Sequence, residues 1–328
     1  MLRQTTSSKF LSLLLALTIL LARPGCAEGA EAQESAKLVS EAKLLLDTYY
    51  GKAERLQRAT DLLERAIAAD RLNANAYVQA ARLVAKGGHI VGNEYLTGTE
   101  QAYTALLDRA LAIEPKNAKA LLLYSEIYHF QKNYDRQVHY LDRAKLLDPS
   151  DPWLLVDYGD HYEGIGDLHV ARSYYETALL RGKGNSPDQQ NALMHALLKL
   201  ARYKPLPGQP FRLRELALRA KQDRHPDDAW TLGNFADEFV FHGMFDDAIV
   251  FARQALGTLN YGAGRLTLAV ALFGRAAQLT LNGQRRDAEP LLAEARQLGY
   301  SSPAILGRLE GSSPEVESLV PVIRSLLK

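Results

Sequence analysis

Residues 118–151 read AKALLLYSEIYHFQKNYDRQVHYLDRAKLLDPSD, and residues 152–185 read PWLLVDYGDHYEGIGDLHVARSYYETALLRGKGN. The two stretches have equal length and align without a gap. Their fourth places hold Leu121 and Leu155, their seventh and eighth Tyr124-Ser125 and Tyr158-Gly159, and their eleventh Tyr128 and Tyr162. Farther on, Gln137 matches Ala171 at place twenty, Leu141 matches Tyr175 at twenty-four, and Ala144 matches Ala178 at twenty-seven. Places four, seven, eight and eleven share one face of a helix, and places twenty, twenty-four and twenty-seven share one face of a second. Small residues at eight, twenty and twenty-seven let two antiparallel helices approach closely, and large ones fill the space between them. The turn near place fifteen calls for a flexible residue, and Gly166 stands there in the second stretch.

This spacing resembles the tetratricopeptide repeat, whose period is about 34 residues. The same frame recurs in residues 229–262, with Leu232, Phe235-Ala236, Phe239, Gly243, Ala248, Ala252 and Ala255, and in residues 269–302, with Leu272, Ala276, Leu279, Gly283, Ala288, Leu292 and Ala295. Residues 40–73 carry Leu46, Tyr50, Ala59, Leu63 and Ala66. Two further units are stretched. Residues 74–117 run from Tyr77 to Leu107, Ala110 and Pro115 with extra residues around Lys86–Gly92, and residues 186–228 are broken by Lys204-Pro205-Leu206-Pro207-Gly208-Gln209-Pro210, with Lys221 where a small residue is expected. Both insertions interrupt the turn within a unit and read as tolerated length variation, with a functional loop as the alternative. One helix pair cannot bury its own apolar face, so the units must stack and the ends need caps. The resemblance therefore implies an all-α fold, a right-handed α-solenoid of tandem antiparallel helix pairs. About seven units fill residues 40–302, after an N-terminal linker at 28–39 and before a capping segment at 303–328. In the cap, Ser313-Pro314-Glu315 reads as a helix start. Val316, Leu319, Val320, Ile323 and Leu327 form its apolar stripe, with Pro321 predicted to kink or break it.

The first 27 residues stand apart. Arg3 and Lys9 precede an apolar run, Phe10–Ala22, that is too short for a comfortable membrane span, and Gly25 and Ala27 place small residues for a cut after Ala27. This reads as a signal peptide of an exported protein, located in the periplasm or cell envelope of a bacterium. Cys26 is the one cysteine. Its preceding Arg23-Pro24-Gly25 departs from the leucine-small-small pattern of lipoprotein signals, so membrane association is expected only if Cys26 is lipidated. The whole chain carries a formal charge of +1, and loss of Arg3, Lys9 and Arg23 leaves 36 basic against 38 acidic side chains. No field of that size draws nucleic acid.

Signatures of catalysis are sparse. The eight histidines include no His-Glu-x-x-His pair, although His129 and His161 occupy neighbouring units, and neither a nucleophile elbow nor a Lys-Ser/Thr phosphate loop is present. Gly182-Lys183-Gly184 reads as a turn between units. Asp157, Asp160 and Glu163 lie within two turns of one helix and are the candidates for a carboxylate-dependent hydrolase, but nothing in the sequence encloses them. The expectation is a protein without catalysis, cofactor or metal.

The resemblance places a partner. In the family the first helices line a concave groove, and places two, five, nine and twelve commonly face the ligand. Carried over, these are Lys119, Leu122, Glu126 and His129 in one unit, and Trp153, Val156, Asp160 and Glu163 in the next. Pro187, Gln190, Met194 and Leu197 follow, then Trp230, Gly233, Asp237 and Val240. Both tryptophans stand at place two, either as interface anchors or packed against the preceding unit. Leu122 with Glu126, and Val156 with Asp160, do not match the paired Lys and Asn with which some family members grip a carboxyl terminus. The expected partner is a neutral or basic protein segment of the envelope. A carbohydrate-binding module for cell wall or exported polysaccharide is the alternative.

Overall fold

Helix succeeds helix wherever the 34-residue frame runs. A computed structural model describes residues 29–91, 94–181, 185–203, 212–223 and 228–328. The signal segment, Cys26, Gly182–Gly184 and the proline-rich break after Lys204 lie outside the described residues.

Seven helix pairs follow one another: α1 (Gly29–Asp47) with α2 (Ala53–Ala69), α3 (Ala74–Gly88) with α4 (Thr99–Ile113), and α5 (Ala118–Phe130) with α6 (Tyr134–Lys145). Then come α7 (Pro152–Gly164) with α8 (Leu168–Arg181), α9 (Pro187–Arg202) with α10 (Leu213–Asp223), α11 (Ala229–Phe241) with α12 (Phe245–Thr258), and α13 (Gly262–Leu281) with α14 (Arg285–Gln297). Three short helices close the chain, α15 (Ser302–Gly307), α16 (Pro314–Glu317) and α17 (Val320–Leu326). The insertion in the second pair holds a small antiparallel hairpin, β1 (His89–Val91) and β2 (Glu94–Tyr95), in which His89 pairs with Tyr95. The chain forms two compact units, one ending at Leu193 and one beginning at Met194.

The repeated places do repeated jobs. Side-chain oxygens of Asn117, Asn133, Asp151 and Asp228 accept from backbone N–H groups in the first turns of α5, α6, α7 and α11. Gly166 and Lys132 stand at the same turn position and both take positive φ, 87° and 55°. Gly159 sits where α7 and α8 touch: a Cβ there would lie 2.4 Å from the ring of Tyr175, which is fully buried. Neighbouring pairs are tied by a bond that recurs at the repeat interval. Tyr124 donates its hydroxyl to Asp108, and Tyr158 donates to Asp142 at 2.5 Å. Stacked tyrosines accompany each tie, Tyr124 on Tyr140 at 4.9 Å and Tyr158 on Tyr174 at 5.2 Å.

Four details depart from the sequence reading. The expected linker at 28–39 is helical from Gly29 on, because Ser35, Leu38, Val39, Ala42 and Leu46 continue one buried stripe back along α1. That helix then stops at Asp47, and Tyr50 and Gly51 turn with positive φ, so Tyr50 lies past the helix it was assigned to. In α10 the buried small residues are Ala217 and Ala220, which shifts the frame by one and leaves Lys221 exposed. Residues 263–268, between two frames, are helical and lengthen α13 by nearly two turns. In the cap, the helix breaks between Glu317 and Val320, and Pro321 stands in the first turn of the next piece, where its missing N–H costs no bond. Val316, Leu319 and Ile323 of the expected stripe are buried.

Candidate functional site

Four first helices of the first unit meet at one carboxylate, and a fifth joins them through Asp47. Asp188 lies in the first turn of α9. Its carboxylate accepts from Lys119 Nζ of α5 at 3.1 Å and from Arg82 Nη2 of α3 at 3.3 Å. Trp153 Nε1 of α7 donates to the Asp188 backbone oxygen at 3.0 Å and to Oδ1 at 3.2 Å. Arg82 also donates to Asp47 Oδ1 of α1 at 2.7 Å and to Gln79 Oε1 at 2.7 Å. Asn191, one turn along α9, donates to the Asp47 carbonyl at 3.0 Å. Lys43 completes the set with a 2.6 Å bond to Asp47 Oδ2. Burial pushes the Asp188 carboxyl up, but the nearby Lys119 and Arg82 charges and the Lys119 hydrogen bond outweigh it and hold the group at about 2.

The next layer lies one to two helical turns toward the C-terminal ends of these helices. Lys86 is four residues after Arg82, Glu126 seven after Lys119, and Asp157 and Asp160 four and seven after Trp153, all on the faces that carry the junction. Its charges are less completely matched. Lys86 Nζ stands 6.0 Å from the centre of the Tyr49 ring, and among the described residues no carboxylate pairs with it. Burial, and next the Arg82 charge, lower its ammonium to about 8. Glu126 Oε2 accepts from the Tyr103 hydroxyl at 3.3 Å. Asp157 Oδ2 accepts from Ser125 Oγ at 3.3 Å, and burial, reinforced by Asp160 and Glu126, pushes its carboxyl well above the usual range. The sequence suggested nothing that would shift these carboxylates. Burial between α5 and α7 does so for Asp157.

The other expected residues divide by role. Lys119 and Trp153 belong to the junction, where the ammonium lies 5.3 Å over the indole. Leu122 and Val156 are buried, so their places face packing between helices. Asp160 and Glu163 both accept from the Tyr175 hydroxyl, at 2.6 and 3.1 Å. His129 and His161 do approach one another, with the Tyr134 ring 6.3 and 6.1 Å from them. Burial and then the His129 charge lower His161. Pro187 and Gln190 are partly buried on α9. In the second unit Met194, Leu197 and Val240 are buried, and Gly233 lies against the Tyr261 hydroxyl. Trp230 packs on Tyr261 at 4.7 Å while remaining 38% exposed.

Asp237 accepts from Thr267 Oγ1 at 2.5 Å and from Arg308 of the C-terminal segment. Burial raises its carboxyl even against the Arg308 charge. The same segment hydrogen-bonds α11 through Ser313 N to the Phe241 carbonyl at 3.0 Å, and α15 and α17 pack on α13. The cap thus crosses the first helices of the second unit and does more than close its end. Sequence reasoning missed Asp47, Arg82, Lys86 and Asp188. Place nine of the 74–117 unit, which is Arg82, was the available signal.

No protein-family model matches the chain, and no curated protein matches it. Solved structures do resemble it. The protein is similar to Pseudomonas aeruginosa PilF at 14% identity over 85% of this chain and 97% of that one, with a TM-score of 0.40. PilW, a type IV pilus biogenesis factor, shows 16% identity over 86% and 100%, with a TM-score of 0.41. YrrB, a tetratricopeptide protein with an unusual peptide-binding site, shows 18% over 61% and 96%, with a TM-score of 0.40. The fold is tetratricopeptide-like. That statement stands on the chain's own tandem helix pairs and their recurring contacts. Among the described residues no helix is long and apolar enough to cross a membrane.

Proposed function

We propose that this chain is a non-enzymatic interaction scaffold of the bacterial cell envelope that takes a partner protein segment against the first helices of its first unit. The observation that carries this reading is the layer beyond the Asp188 junction. There, among the described residues, Lys86 meets the Tyr49 ring and no carboxylate, and Glu126 accepts from the Tyr103 hydroxyl and meets no cation. A charge removed from water and left unmatched is costly, and such groups mark places where a ligand supplies the missing partner. The three candidate hydrolase carboxylates have other occupations: Asp160 and Glu163 hold Tyr175, and Asp157 receives Ser125. Export to the envelope rests on the N-terminal signal pattern. The tyrosine stacks give little to a sugar, since Arg136 lies 5.5 Å over Tyr128 and Arg143 lies 5.3 Å over Tyr140, covering faces a sugar ring would use.

Position-specific photo-crosslinking in cells tests the reading. A photoreactive residue at Glu126 is expected to give discrete protein adducts, and one at Leu180, which is 85% exposed on a second helix, is expected to give few. Equal adduct patterns from the two positions would remove the support for an inner-face site.

A further inference from the structure

The second unit carries a row of groups on α11 that its own C-terminal segment leaves partly open. Trp230, Gly233 and Asp237 are spaced by three and four residues, so they share one face of the helix over about 10.5 Å. The C-terminal segment reaches that helix at Asp237, through Arg308, and farther along at the Phe241 carbonyl, through the Ser313 N–H. It leaves Trp230, in the first turn, 38% exposed. The indole rests against the Tyr261 ring, with 4.7 Å between centres and a tilt of 49°. The Tyr261 hydroxyl lies over Gly233, where a Cβ would come within 1.8 Å of it. The missing side chain at Gly233 is thus what lets a phenol hydroxyl stand between the indole and the carboxylate. Among the described residues, neither the Trp230 indole N–H nor the Tyr261 hydroxyl has a hydrogen-bond partner. Burial, and next the Asp237 and Asp228 charges, push that hydroxyl up to about 12, so it remains protonated and able to donate. Asp237 and Arg308 are both partly exposed and balance each other's charge. Beyond the bonds they share, the carboxylate keeps lone pairs and the guanidinium keeps N–H groups.

The chemistry of the row selects its ligand. An ion pair that is already matched gives a charged ligand no net attraction. What the row offers is a flat apolar ring, an indole donor, a phenol that donates and accepts, and a carboxylate beside a guanidinium. The complement is a neutral molecule with apolar C–H faces and with hydroxyls that both donate and accept, which is a sugar. A single pyranose ring is shorter than the row. We propose that Trp230, Tyr261, Asp237 and Arg308 form a binding site for a neutral oligosaccharide of two or more pyranose rings, one ring lying on the exposed part of the Trp230 indole and the next hydrogen-bonded by the Tyr261 hydroxyl and the Asp237–Arg308 pair. The site belongs to the second unit and is independent of the protein-partner reading of the first. Two contrasts set it apart. The tyrosine faces of the first unit lie under Arg136 and Arg143, whereas among the described residues no cation covers Trp230. Trp153 holds the same place in its repeat, but its indole N–H is taken by Asp188 and Lys119 lies over its ring.

The test exploits the two tryptophans of the intact chain, which give two indole N–H signals in NMR. Trp230→Phe assigns one of them, and the Trp153 signal is the internal control. The probes are maltotriose, cellotriose and triacetylchitotriose, with glucose and an acetylated triproline amide for comparison. At least one trisaccharide is expected to shift the Trp230 signal to saturation while the Trp153 signal stays in place, at a concentration at least about tenfold below that needed with glucose. Tyr261→Phe removes a hydroxyl that bonds nothing among the described residues. It is expected to leave the melting temperature unchanged and to raise the trisaccharide concentration required by about three- to tenfold. A Trp230 signal unmoved by all three trisaccharides, equal action of glucose and trisaccharide, or a Tyr261→Phe chain that binds the trisaccharide as tightly as the natural one would each overturn the assignment. A stronger response to the proline peptide would also overturn it, and would give the indole to a protein ligand.

Discussion

The two units cover their first helices by opposite means. In the first, α9 brings one carboxylate, Asp188, to cations and an indole from three earlier helices, and the contacts are polar. In the second, the last 27 residues cross α11 and α13 with Ile305, Leu309, Val316, Leu319 and Ile323 buried, and the ion pair of Arg308 with Asp237 accompanies them. Apolar cover leaves few charges to match. Polar cover must match each charge individually, and one layer beyond the junction it does not. The second unit's first helices are covered by its own chain, while those of the first unit carry the face on which a partner segment is proposed.

The largest effect should come from breaking the apolar cover. Ile323 is fully buried, and Ile323→Ala is expected to destabilise the second unit by about 2–4 kcal/mol through lost burial and the cavity left behind. Hydrogen exchange is the suitable measurement, since it resolves the units. Protection should fall across α11–α14 and persist in α1–α8. Uniform loss in both units would contradict the separation of their covers.

A smaller effect, with a pH signature, belongs to the polar cover. The Asp188 carboxyl is held at about 2, below the ordinary 3.8, so it stabilises the fold above its ordinary value, and that contribution is lost as pH falls through about 2. Asp188→Asn keeps an acceptor for Trp153 but loses the ionic attraction of Lys119 and Arg82. The expected cost is about 2 kcal/mol at pH 7, shrinking to nothing near pH 2, as read from urea unfolding across that range. A cost independent of pH would show that the side chain's shape, and not its charge, closes the junction.

How far the sequence revealed these regions depends on the range of the interaction. Places within one helix pair, such as Gly159 against Tyr175, follow from helical periodicity, and so do the capping residues at Asn117 and Asp151. The tie from Tyr124 to Asp108 joins adjacent pairs and is still visible as a recurrence in Tyr158 and Asp142. Asp188 is different. Its partners stand 69 and 106 residues earlier, and Asn191 reaches back 144, so the pairing depends on how four successive units rotate. That rotation is a sum of small angles set by packing, and no local pattern records it. Lys86 was hidden for another reason. It was counted with the inserted segment, yet it forms the last turns of α3 four residues beyond Arg82. The α1 boundary escaped because the family frame begins later than this helix's apolar stripe, which reaches back to Ser35.

The smallest effect has the opposite sign and concerns a second carboxylate of the same unit. Asp157 is pushed upward by burial, and then by Asp160 and Glu126, where Asp188 is held down by cations. A carboxyl whose folded value is raised favours folding only while it is protonated. As pH climbs past the ordinary carboxylate value the unfolded chain ionises freely and the folded chain does not, so stability is lost with rising pH. Asp157→Asn removes that loss and retains an amide able to accept from Ser125 Oγ. It should stabilise the first unit by about 1 kcal/mol at pH 7–8 and have no effect below about pH 3.8, the reverse of the Asp188→Asn profile. A variant that loses stability at pH 7 would show that Asp157 is ionised and matched in the folded chain.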